Sequence, residues 1–84
     1  MFILEKSKRN PDRFDVSHFQ WITSAQFHTL LYSAENLTEE GAINYLTGRA
    51  PKEDDIRWAL DIVKLTKCNA IIGDDGQLRA VPTN

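Results

Sequence analysis

The sequence predicts an α+β domain, three helices with a small antiparallel sheet. Three observations carry that reading. The stretches Thr38–Leu46 and Pro51–Lys67 repeat apolar residues at helical spacing behind residues suited to helix starts. Phe27, Leu30, Leu31 and Ala34 recur at i, i+3, i+4 and i+7, the stripe of a further amphipathic helix. The run Asn69–Val81 places Asp74-Asp75-Gly76, hairpin turn chemistry, between two short apolar segments. The expected order is an N-terminal strand or hairpin, helices over about 24–35, 38–47 and 51–67, and a C-terminal hairpin over about 69–81.

The chain opens with Phe2, Ile3 and Leu4, an apolar run whose β-branched and aromatic content favours a strand. Asn10-Pro11-Asp12 is a turn, because proline presets φ and the Asn and Asp side chains bond nearby backbone. A second extended segment follows, with Phe14 and Val16 on one face and Phe19 and Trp21 on the other. The apolar pattern changes phase near Ser17-His18, where a bulge is expected. Thr23 or Ser24 caps the first helix, and Asn36 ends it in a left-handed conformation.

Thr38 starts the second helix, with Glu39 and Glu40 in the first turn complementing the helix dipole. Ala42, Ile43 and Leu46 point inward, Tyr45 flanks them, and Gly48 ends the helix. Pro51 suits the first position of the third helix, since its missing N–H has no role there. Ile56, Ala59, Leu60 and Val63 make this the central core helix, and Trp58 exceeds what that core accommodates. The row Arg57, Asp61, Lys64 and Cys68 is left for solvent.

Eighty-four residues support one core and one domain. The formal net charge is −2 and the pI about 5.6, which disfavours a chain whose main task is neutralising phosphate. The lone Cys68 has no partner for an internal disulfide, and no signal peptide or membrane-length apolar run is present. The expected location is cytoplasmic, with no membrane partner.

No catalytic constellation is spaced for chemistry. His18 and His28 fall on different expected elements, and Cys68 lacks a Cys-x-x-Cys partner, so no metal site is expected. Glu53-Asp54-Asp55 reads as dipole compensation at a helix start, and no Gly-rich phosphate loop exists. Neither an enzyme nor a cofactor is expected.

The run from Leu37 to Val81, a helix, a Gly-containing turn, a longer helix and a closing hairpin, resembles the winged helix-turn-helix in its order of elements. That resemblance implies a third helix in the DNA major groove, with Arg49, Lys52, Arg57 and Arg79 as contacts. It equally implies the use of winged helices as protein-interaction modules. Acidic residues at the helix start and at the hairpin tip (Asp74, Asp75) favour the protein partner. The expected function is therefore a small non-catalytic module acting through protein–protein contact, as an accessory or inhibitory subunit of a larger complex. A DNA-binding transcription regulator is the alternative, and a homodimer is open to either. The expected protein contacts are the basic turn Lys8, Arg9 and Arg13, together with Trp21, Tyr45 and Trp58.

Overall fold

A computed structural model describes residues 1–83, the side chain at position 32 excepted. The chain runs β1 (Phe2–Lys6), β2 (Phe14–Ile22), β3 (Phe27–Leu37), α1 (Glu39–Leu46), α2 (Glu53–Leu65), β4 (Cys68–Ile72) and β5 (Leu78–Pro82). The strands form one sheet in the order β3-β2-β1-β4-β5, each pair antiparallel. Both helices lie on the same side of it, α1 over β2 and β3, α2 over β1, β4 and β5.

This corrects the expected three helices with a small sheet. The expected first helix, about 24–35, is instead strand β3, so the domain has two helices on a five-stranded sheet. The cause is tertiary. β2 is nine residues long, and its backbone groups need partners on both edges. β1 satisfies one edge and only β3 is placed to satisfy the other. A helix over this stretch would also need a core for Phe27, Leu30 and Leu31, whereas all three are exposed in the strand. Thr23 and Ser24, expected as helix caps, belong to the β2–β3 turn. Its Gln26 takes a positive φ of 56°, and its N–H donates to the Ile22 carbonyl at 2.7 Å. Asn36 is left-handed, as expected, with φ 58°, but it sits at a slip in the β2–β3 pairing. There its N–H donates to Asp15 Oδ1 at 2.9 Å.

The remaining elements follow their local chemistry. The β1–β2 turn is closed by the Arg13 N–H on the Asn10 carbonyl at 3.0 Å and the Asp12 N–H on Asn10 Oδ1 at 2.9 Å. Thr38 caps α1, its Oγ1 accepting from the Gly41 N–H at 3.0 Å. Gly48 follows α1 with φ 82°. α2 begins at Glu53, two residues after Pro51, with Lys52 in the cap position and no side-chain cap bond. In the β4–β5 turn Gly76 has φ 81°, a conformation L side chains rarely adopt.

The core fills the space between helices and sheet. Phe2, Leu4, Phe14, Val16, Ala70 and Ile72 line the helix side of the sheet, and Ala42, Leu46, Ile56, Ala59, Leu60 and Val63 meet them from above. Each of the larger side chains among them, Phe, Leu, Ile and Val, contributes about 1.5–3 kcal/mol through burial.

Candidate protein-binding surface

A strand alternates its side chains, so the five strands present a second face that no helix covers. In the observed register Ile3 of β1 stands opposite Ile71 of β4, which stands opposite Arg79 of β5. On β2 the odd positions Asp15, Ser17, Phe19 and Trp21 share that side. Phe19 pairs with Leu30 of β3, and Trp21 with His28. The Trp21 and His28 rings lie 4.8 Å apart, tilted by 60°. Trp21 is 43% exposed and Leu30 53%. The pairing slips between His18 and Phe19, leaving Leu31 as the extra residue on β3.

This open face carries a depression at its β4–β5 turn end. It measures about 280 Å³ and is lined by Met1, His28, Ile71, Asp74 and Arg79 among others. His28 belongs to one edge strand and Arg79 to the other, with three strands between them. β1 ends level with His18 and Phe19, so at the level of His28 it does not intervene, and the β4–β5 turn residues Gly73, Asp74 and Asp75 reach toward the β2–β3 hairpin there. The Met1 ammonium group pairs with Asp74 and also donates to the Phe19 carbonyl at 3.0 Å, which ties the β4–β5 turn to β2.

The expected contact residues do not converge. Trp21 lies on the open face, near the tip of the β2–β3 hairpin. Lys8, Arg9 and Arg13 lie in the β1–β2 turn at the far end of β2, about 26 Å away at roughly 3.3 Å per residue. Arg13 is anchored, its Nη1 donating to the Asn36 carbonyl at 3.5 Å. Tyr45 is half-buried in α1 beneath Arg49, whose guanidinium carbon is 4.8 Å from the ring centre. Trp58 projects from the outer side of α2 and is 60% exposed.

The residues expected for DNA contact are also dispersed. Arg49 donates to the Tyr45 carbonyl at 2.7 Å, and the Lys52 side chain lies against Gly76. Arg57 is exposed on α2, whereas Arg79 is on the opposite side of the sheet and donates to Gln77 Oε1 at 3.1 Å.

Two titratable groups lie on the helix side. His18 stacks on Phe2 at 4.2 Å between ring centres. Burial there holds its imidazole below the ordinary 6.5, aided by the terminal ammonium and Arg49 and opposed by Asp74. Asp55 is buried in the first turn of α2, and its Oδ2 makes no hydrogen bond among the described residues. Among the described residues, no group of three or more His, Cys, Asp or Glu side chains is placed to hold a metal ion. No helix among them is long and apolar enough to cross a membrane.

Ile3, Leu30 and Ile71 were not expected at this surface. The signal for Ile3 and Ile71 lies in the runs Phe2-Ile3-Leu4 and Ala70-Ile71-Ile72, which are continuously apolar, and for Leu30 in the adjacent pair Leu30-Leu31. A strand divides such a run between both faces, so both faces carry apolar side chains. No protein-family model, no curated protein and no solved structure matches this chain.

Proposed function

We propose that this chain is a small non-catalytic binding module that receives a protein partner on the open face of its sheet. One observation carries the reading. The helices cover one side of the sheet, while the other side exposes Trp21 and Leu30 beside Phe19, Ile3 and Ile71. Single exposed apolar residues are ordinary, but a contiguous group on one face marks an interaction site. Trp is enriched among residues that dominate binding energy, and here it needs no rearrangement to be reached. The rim is polar, with Arg79, Asp74 and His28 available for hydrogen bonds that set orientation. Partner recognition is assigned to this trough and not to the basic turn at the far end of β2.

The test is photo-cross-linking in cells of the native host from position 21 and, as a control, from position 40 on α1. Adducts specific to position 21 that disappear in Leu30→Ser are expected. Equal labelling from both positions, or adducts that survive Leu30→Ser but vanish with Lys8→Glu/Arg9→Glu, would remove the trough from the interface.

A further inference from the structure

The outer side of α2 carries a second apolar stripe. Trp58, Ile62 and Leu65 fall at i, i+4 and i+7, on one line along the helix. Trp58 is 60% and Leu65 78% exposed, and Ile62 is half-buried between them. The inward line Ile56, Leu60 and Val63 already accounts for the attachment of α2 to the sheet. Ile62 also touches the edge of that core, but Trp58 and Leu65 remain largely in solvent and do little for the fold of one chain.

The charges beside that stripe are ordered. Asp54, Arg57, Asp61 and Lys64 run along one flank, alternating acid and base at intervals of three, four and three residues. The spacing is the same read in either direction, whereas the signs invert. Lys64 donates to Glu39 Oε1 at 3.0 Å and keeps further N–H donors. Asp54, Arg57 and Asp61 make no side-chain hydrogen bond or ion pair with the described residues.

We propose that this face binds a second copy of the same chain, α2 packed antiparallel on α2 about a two-fold axis. Reversing the helix sets Asp54 against Lys64 of the second copy and Arg57 against Asp61 of the second copy. The axis repeats both pairs, giving four complementary contacts at once. It passes beside residue 59, so the two Trp58 side chains meet at the centre, about 3 Å apart along the helix at 1.5 Å per residue. A parallel pair in register places like charges together, which disfavours it. A 13-residue helix about 20 Å long offers less than the roughly 800 Å² per partner of a standard interface. The dimer is accordingly weak and concentration-dependent. Its face points away from the sheet, so self-association and partner binding in the trough are separable.

Sedimentation equilibrium over a concentration series, on the full chain, tests this. The unaltered chain shifts from monomer to dimer as concentration rises, and Trp58→Ala stays monomeric with an unchanged far-UV circular dichroism spectrum. Arg57→Glu and Asp61→Lys each weaken association about tenfold, because each change counts twice across the axis. Mixed in equal amounts, the two variants restore it, since Glu at 57 of one then faces Lys at 61 of the other, and the second pair is the unaltered Asp61 with Arg57. A chain that remains monomeric up to millimolar concentration overturns the proposal. So does dimerisation that survives Trp58→Ala, or a mixture no tighter than its components, which leaves the stripe to a helix of a different protein.

Discussion

Trp21 and His28 face each other across the β2–β3 hairpin, their rings 4.8 Å apart, on the side of the sheet that neither helix reaches. A cross-strand aromatic pair of this kind contributes a few tenths to about 1 kcal/mol. That is little return for a tryptophan left nearly half in water. In the proposed function the pair serves as the docking surface, already exposed before a partner arrives.

The first prediction follows from this exposure. Trp21→Ala lowers stability by about 1–2 kcal/mol, since 43% of the residue already lies in water. Leu60→Ala, which empties a fully buried site between α2 and the sheet, costs about 2–5 kcal/mol. Urea denaturation of the two variants checks the contrast. A Trp21→Ala cost approaching that of Leu60→Ala would identify Trp21 as core.

The cap of α1 gives the second. Thr38→Ala removes the acceptor of the Gly41 N–H and costs about 1 kcal/mol. Thr38→Ser keeps the oxygen and retains most of that stability. Thermal unfolding of the two variants, compared at equal concentration, distinguishes them.

Gly76 supplies the third. A side chain there is strained by φ 81°, and its Cβ would stand 3.1 Å from the Lys52 side chain. Gly76→Ala therefore destabilises by about 1 kcal/mol or more. Adding Lys52→Ala relieves the contact but not the backbone, so the double variant recovers only part of the loss. Denaturation midpoints of the single and double variants check this.

The fourth concerns pH. Burial against Phe2, then the terminal ammonium and Arg49, hold the folded His18 below its ordinary 6.5, with Asp74 opposing. On acidification the unfolded chain takes up the proton first. The stability due to neutral His18 is thus fully present above pH 6.5 and is lost as pH falls below it, until the folded imidazole protonates too. Unfolding free energy measured at pH 7.5 and at pH 5.5 should fall more in the unaltered chain than in His18→Gln. An equal fall in both would assign the dependence to other groups.

The sequence by itself determined several features of local chemistry, though not the Thr23 or Ser24 cap or the Pro51 helix start. The Asn10-Pro11-Asp12 turn, the Thr38 cap, the left-handed Gly48 and Gly76, and the inward lines of α1 and α2 are set by residues within a few positions of one another. Even the surplus of Trp58 was legible, because the helix carries apolar residues around more of its surface than one core can bury. Only the tertiary structure decided the state of residues 27–37. Their pattern satisfies a helix and a strand alike, and the choice falls to backbone pairing with β2 across the turn at 23–26, which side-chain periodicity within the stretch does not reveal. The trough was decided at the same step. Trp21 and His28 meet because β3 is a strand, and His28 shares a depression with Arg79 because the β4–β5 turn reaches toward the β2–β3 hairpin. Side-chain periodicity sets which face a residue occupies. Which face remains uncovered depends on where both helices come to rest.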